Sequence, residues 1–591
     1  MKLSRNLILL INISVLTGCG AMARQPDTGQ DQDVAQLNQK DLITSEAKVD
    51  DMQFEPALLP KLETRIAPQH LYRLLLAEIS AQRGHLDVAV RNYLDVATET
   101  KDPKVAERAA QVASYSQDVS KMLSAARLWV ELDAENPQSF ATYAGALLKI
   151  GRAAEAVEQY QKMLQHIDDT ARGFSAIVSR LSREPDRSLA ITVMEKVVED
   201  YRDNYEALFA YAHLAMRHVN FDLALTTLDQ VLKLKANWDK AVILRARVLA
   251  LQGEGDTALS FLKTSLDGDL EKNADVRMSY ARMLFEARKY DAALAQFIRL
   301  SELHPKHADA NYFSGVLAVQ LKKPKLASEH LLKVRELGLH RAETSFYLGQ
   351  AAEQLNDYKD AINYYLGVRH GEYYFNAQLR VISLMSKQQD YASARNHIGT
   401  VRVESEKQQI QLFLVEGDLL RETKKYPEAK QFYSDILTKF PKESSVRYAR
   451  ALIAEKLGEL ALVESDLLEI LKEEPENAQV LNALGYTLAD RTSRYEEALT
   501  YIKRAFELQP NDAAVIDSMG WVQYQMGNYK TALSHLQRAN ELTQDPEIAA
   551  HLGEVLWVMG NKSQALETWE NSLKTNPDHE ALRSVMKRFG L

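Results

Sequence analysis

The sequence predicts an all-α protein, a right-handed superhelical solenoid of about 15 helix pairs that follows a disordered tether. Three observations predict it. Amphipathic helical segments recur in pairs from His70 onwards, and each second segment carries a small residue in the same place. These places are spaced by 31 to 36 residues, most often 34. Glycine (24) and proline (15) are scarce in 591 residues, which disfavours sheets joined by tight turns. A fixed period of this kind overrides the length prior, which would otherwise divide such a chain into roughly three or four domains.

Taken in chain order, residues 1–18 read as a signal peptide. Lys2 and Arg5 form a basic start, and Leu7 to Leu16 is an apolar run interrupted by Asn12. That run is too short to cross ~30 Å of hydrocarbon as a helix, so it is not a transmembrane anchor. The segment ends in Leu16-Thr17-Gly18-Cys19, which resembles the lipobox of bacterial lipoproteins. The resemblance implies cleavage before Cys19 and a diacylglycerol on its sulfur. Cys19 is the only cysteine, so no intramolecular disulfide can form. The competing reading, an ordinary signal peptide with an incidental cysteine, leaves that thiol without a role. Residue 20 is Gly rather than Asp, so the inner-membrane retention signal of enteric lipoproteins is absent. By resemblance the destination is the periplasmic face of the outer membrane, held by several acyl chains where a single chain would not anchor stably.

Removing residues 1–18 takes away Lys2 and Arg5 and no acids, moving the formal net charge from −9 to −11. A mildly acidic, unpatterned body argues against nucleic acid, whose phosphates demand a basic surface. Residues 19–68 read as the lipidated cysteine and a flexible tether. The stretch 20–52 is rich in Gln, Asp, Lys, Ala and Thr, and cannot bury enough apolar area to offset its chain entropy. As a coil it reaches ~40 Å, enough to hold the body off a membrane.

Residues 69–577 form the predicted solenoid. The small second-helix site runs from Ala89, Ala125 and Ala156 to Ala532 and Ala565, with Val463 as its one larger occupant. Twelve residues earlier the first helix is small as well, from Ala77 and Ala113 to Gly520 and Gly553, with Gly485 displaced by one. Val178 and Ile382 break this series, which marks the fourth and tenth pairs as weak; the twelfth, with Val463, is weak too. Four residues after each second-helix site a large apolar residue stands, from Tyr93 and Trp129 to Trp569. Helix axes approach to ~8 Å only where a Cβ is small or missing, and a bulky partner one turn on fills the gap. A 34-residue period with these positions is that of tetratricopeptide repeats, in which stacking supplies the core that one pair cannot build alone. Residues 578–591 follow Pro577 as a capping helix, with Arg583, Lys587 and Arg588 on its wet face.

No HExxH, GxSxG or P-loop pattern occurs. Ser260 and Lys263 have the spacing of some acyl enzymes, but Leu262 between them holds a packing position. His304 and His307 sit in an inter-repeat turn without a local acid or cysteine, and His213 and His218 do not share a helix face well. The reading is therefore of no catalytic residues, no metal, no cofactor and no small-molecule substrate. The concave wall, lined in such repeats by first-helix positions 2, 5, 9, 12 and 13, carries Tyr486, Trp521, Tyr524 and Trp557. We expect these four to form an aromatic strip for a partner, with Asp517 and Glu554 beside it favouring positive charge. The bland alternative is ordinary packing of the superhelix.

Asn482-Ala-Leu-Gly-Tyr-Thr-Leu-Ala-Asp-Arg491 and Asp517-Ser-Met-Gly-Trp521 resemble the C-terminal repeats of a group of proteobacterial repeat lipoproteins. Within it the length, lipobox and repeat number are similar to those of the lipoprotein adaptors of a periplasmic carboxyl-terminal processing protease. That resemblance implies a non-catalytic adaptor holding the protease and delivering peptidoglycan hydrolases to it. The alternative is a scaffold for an envelope machine such as polysaccharide export, pilus secretion or outer-membrane protein assembly.

Overall fold

Each helix of the body begins and ends on local chemistry. In the fifth pair the Asn204 side chain accepts from the Glu206 and Ala207 backbone N–H groups and starts the helix Tyr205–Arg217. Asn220 does the same for Leu223 and starts the helix Phe221–Leu234. Between them Val219 takes φ 63°, and the Asn220 N–H returns 2.9 Å to the Ala215 carbonyl, using an acceptor the ending helix would leave orphaned. This turn recurs in most pairs, seven residues after the small first-helix site. Gly84, Gly151, Gly253, Gly458, Gly527 and Gly560 occupy its left-handed position, where the absence of Cβ suits them.

The computed structural model describes residues 66–591 apart from Gln117. The predicted signal peptide, Cys19 and nearly all of the tether lie outside the described residues. Among these, 31 α-helices and one three-residue 3-10 helix, Glu199–Tyr201, occur and no strand. The fold is the expected all-α solenoid of helix pairs, from Pro68–Gln82 to Lys562–Thr575, followed by Glu580–Arg588. None of the described helices is long and apolar enough to cross a membrane.

The helix crossings bear out the small-to-large spacing. A Cβ built on Gly349 would lie 2.6 Å from the Tyr365 ring, and one on Gly520 would lie 2.6 Å from Leu536. Gly315 faces Leu331, Gly417 faces Tyr433, Gly485 faces Ile502 and Gly553 faces Trp569 in the same way. Tyr365, Tyr433 and Trp569 are fully or almost fully buried. Where Val178 replaces the small residue, the pair loosens. In the fourth pair, with Val178, the helices Thr170–Leu181 and Arg187–Val197 approach each other little, and each packs mainly on a neighbouring pair. The helices Tyr374–Lys387 and Tyr391–Ile398 stay packed despite Ile382, which is buried in one cluster with Ala394 and Ile398, and His397 Nε2 lies 2.8 Å from Gln378 Oε1 across the pair.

The described chain divides into two compact units, one up to Tyr374 and one from Phe375. Each holds a series of apolar clusters that bridge consecutive pairs. In the first unit one such cluster joins Phe140, Tyr160, Phe174, Met194 and Leu214. In the second, the last cluster joins Leu536, Val555, Trp569, Leu582 and Val585, so the terminal helix closes the core with two buried side chains.

Candidate protein-binding site

The last three pairs place the predicted aromatic residues on the first helices Ala478–Arg491, Ala513–Gln525 and Pro546–Val558. Three of them gather around an imidazole that the sequence reading passed over, His551. Its Nδ1 lies 3.0 Å from both Asp517 carboxylate oxygens, and its Nε2 lies 3.4 Å from the Tyr486 hydroxyl. The Trp521 ring stacks on it at 4.1 Å, and Trp521 Nε1 donates to Asp490 Oδ1 at 3.2 Å. Tyr524 packs on Trp521 at 5.1 Å and donates its hydroxyl to Glu554 Oε1 at 3.3 Å. The other Glu554 oxygen accepts from Arg588 of the terminal helix. Trp557 stands apart, stacked on Trp569 and Phe589 at 5.8 and 5.5 Å.

The electrostatics follow from burial. Desolvation alone would push the His551 imidazole down, but Asp517, with Glu547 and Asp490 nearby, outweighs it and raises the pKa. Burial, with Asp490 and Asp517 close, pushes the Tyr486 phenol well above its ordinary value. Burial and the Glu554 carboxylate raise Tyr524 to about 12.

One expectation about this wall changes. Asp517 and Glu554, expected as acids open to a cationic ligand, are 7% and 4% exposed and spend their charge on His551 and Arg588. Arg588 keeps the wet face expected of it, its side chain 58% exposed, while its guanidinium reaches that buried Glu554 carboxylate. Trp521 is 5% exposed, whereas Tyr486, Tyr524 and Trp557 are half-buried. Only parts of these rings therefore offer contact area to a partner.

A second concavity lies between first helices of the fourth to sixth pairs, with a volume of about 390 Å³. Val178, Phe209, Ala210 and Trp238 line it with Arg183, Arg217 and Lys240. His213 also lines it, stacked on Phe209 at 6.5 Å, its pKa pulled down by burial and by Arg217 and Arg247. No sequence motif marks this cleft, and Val178, which breaks the small first-helix series, is part of its lining.

A tetratricopeptide-repeat family model matches residues 281–337 and 464–513. A TPR repeat-containing protein of Pseudomonas aeruginosa is 32% identical over 554 residues, covering 94% of this chain and 91% of that protein. The chain is a tetratricopeptide-repeat protein. Human cell division cycle protein 16 homolog is similar over a much shorter stretch, 29% identical across 20% of each chain. Among solved structures, the Cut9–Hcn1 complex of the APC/C covers 88% of this chain at 16% identity and a TM-score of 0.31. Pseudomonas aeruginosa pilF covers 34% at 21% identity and a TM-score of 0.27.

The tetratricopeptide frame also accounts for the motifs set aside earlier. Ser260 and Lys263 are exposed on the helix Gly255–Leu266 with no hydrogen bond between them, while Leu262 is fully buried. His304 Nε2 donates to the Lys272 carbonyl at 2.9 Å, and His307 Nδ1 accepts from the Ala310 N–H at 3.3 Å. Both imidazoles tie inter-repeat turns. His218 donates to the Leu181 carbonyl at 3.1 Å and so links two repeats.

Proposed function

We propose that this tetratricopeptide-repeat protein is a non-catalytic scaffold, lipid-anchored through Cys19 at the periplasmic face of the outer membrane. The observation that carries the scaffold reading is the continuity of the helix pairs: repeats occupy nearly all of the described chain and leave no separate domain to hold a reaction. A stacked array presents successive first helices as one extended wall, which suits recognition of other proteins. The lipobox Leu16-Thr17-Gly18-Cys19 supports the anchor. The resemblance in the segments 482–491 and 517–521 supports a finer role, recruitment of a carboxyl-terminal processing protease and its peptidoglycan hydrolase substrates.

Co-purification from detergent-solubilised envelopes tests the partner, and fractionation of the Cys19→Ser variant tests the anchor. The expected result is capture of a processing protease with cell-wall hydrolases, and loss of outer-membrane retention in the variant. Capture of a secretin, pore or polysaccharide synthase instead would replace the adaptor role with assembly of an export machine. A Cys19→Ser protein that still fractionated as an outer-membrane lipoprotein would overturn the anchor.

A further inference from the structure

The cleft at the fourth to sixth pairs joins two features that seldom coincide on this surface. Its floor is aromatic. Phe209 and Trp238 lie 4.9 Å apart, and Tyr205 meets Trp238 edge-on at 4.9 Å. Its rim is cationic. Arg183, Arg217 and Lys240 line it and are exposed, and Arg247 stands close enough to depress His213. Glu206 is the only acid in the lining.

The cations of the cleft are not spent on carboxylates of the described chain. Several arginines of the later repeats are neutralised by carboxylates of their own or adjoining repeats: Arg494 by Glu464 and Glu497, Arg504 by Glu476 and Glu507, Arg395 by Glu416 and Glu428. No described carboxylate forms an ion pair with Arg183, Arg217, Lys240 or Arg247, in a chain whose net charge is −9. The Ser182 Oγ, also in the lining, is buried without a hydrogen-bond partner among the described residues. A site with an apolar floor, unpaired cations at its rim and a spare hydroxyl is complementary to a ligand that is acidic outside and apolar in the middle. At about 390 Å³ it takes one or two side chains rather than a folded surface.

We propose that this cleft docks an acidic segment of a partner protein. One apolar side chain seats on Phe209 and Trp238, and flanking carboxylates pair with Arg183, Arg217 and Lys240. The assignment rests on the scaffold reading and names the chemistry of a ligand for it. An extended peptide fits better than a small anion, because the cations come from three successive repeats, Arg183 in the turn after one first helix, Arg217 at the end of the next and Lys240 at the start of the third, while the floor between them is apolar.

The test uses the mature chain and a fluorescein-labelled peptide with a central leucine flanked on each side by two glutamates. Controls replace the glutamates by lysine, or the leucine by glycine. Anisotropy is expected to show the acidic peptide binding at least about tenfold tighter than either control, weakening from about 50 to about 300 mM salt as screening shortens. The exposed substitutions Arg183→Ser with Arg217→Gln should reduce affinity about tenfold while leaving the circular-dichroism melt unchanged. Trp238→Leu should weaken binding without altering the salt dependence. Equal affinity for the acidic and lysine peptides, or a double variant that binds like the wild type, overturns the site. Equal affinity for the leucine and glycine peptides overturns the apolar seat. Co-purification with the same double variant separates this from the broader reading: partners captured equally by both proteins leave the scaffold standing and remove the cleft, whereas no partner with either removes the scaffold.

Discussion

The indole of Trp521 lies against the imidazole of His551, ring centroids 4.1 Å apart and planes 23° apart, on first helices one repeat from each other. Since Trp521 is 5% exposed, its ring holds repeats together before it can meet any ligand. Trp521→Ala is therefore expected to cost about 3–5 kcal/mol, read as a lower urea midpoint for the C-terminal unit. A variant that kept its melt and lost a partner in pull-downs would instead make Trp521 a contact residue.

The pairing of His551 with Asp517 carries a pH signature. The folded pKa is raised above the unfolded value of about 6.5, so the charged pair stabilises fully below that value. Its contribution is lost as pH rises through the folded pKa. His213, His330, His397 and His535 are shifted down by burial, and their contribution is lost as pH falls. Melting curves of wild type and His551→Gln from about pH 6 to about pH 8 should converge as pH rises. A gap that stays constant would rule the ion pair out as the cause.

Asp466 is 1% exposed and accepts from Arg450 Nε at 2.8 Å and Arg450 Nη2 at 2.6 Å, with Arg447 at 3.5 Å. Removing one member of such a pair strands the other in a poor dielectric. Asp466→Ala should lose about 3–5 kcal/mol, while the double change Asp466→Leu with Arg450→Met should lose distinctly less. Chemical denaturation of the three proteins decides it; equal losses would mean that packing volume, and not charge, governs the position.

Val219 and Gly253 hold the same turn position in successive repeats, at φ 63° and 93°. A β-branched side chain is strained there, and Val219 is 56% exposed, so its replacement forfeits little burial. Val219→Asn should gain about 0.5–1 kcal/mol, and Gly253→Val should lose about 1–2 kcal/mol, because only a few residue types tolerate the left-handed region. Opposite shifts in thermal midpoint are the expected outcome, and shifts of one sign would contradict it.

The terminal helix buries Leu582 and Val585, lays Phe589 on Trp557 and Trp569, and gives Arg588 to Glu554. Truncation after Pro577 uncovers those rings and leaves the Glu554 charge with only the Tyr524 hydroxyl. Dye binding by the exposed apolar surface should rise and the last repeats should melt first. A truncated chain with unchanged dye binding would show that the helix is dispensable.

The repeat architecture was legible because its decisive contacts lie within one helix pair. Gly349 and Tyr365 are sixteen residues apart, so a local pattern contains both partners. The turn glycines, such as Gly253 and Gly560, were an equally periodic signal that would have sharpened the pair boundaries. The wall of the last repeats was legible only in part. Position on a helix face follows from sequence, but the partner of an acid on that face does not. Asp517 and His551, like Glu554 and Arg588, are separated by 34 residues, so each acid is neutralised by the following repeat or cap. Read alone, such an acid looks free. The cleft lined by Phe209 and Trp238 was hidden for another reason: its lining is drawn from three successive repeats, and no local pattern contains it.

The uneven crossings give the molecule a mechanical character. Pairs keyed by Gly485 against Ile502 or Gly520 against Leu536 are clamped backbone to side chain, whereas the pair bearing Val178 lacks the keyed approach. Since each repeat is held chiefly by its neighbours, tension along the chain is borne link by link and not by one shared nucleus. Drawn out from its ends, the array should give way first at that loosely keyed link and lengthen in a discrete step while the clamped links stay shut. Such a chain behaves as a line with a built-in shear pin, yielding slack at one set place before the load reaches its tightest links.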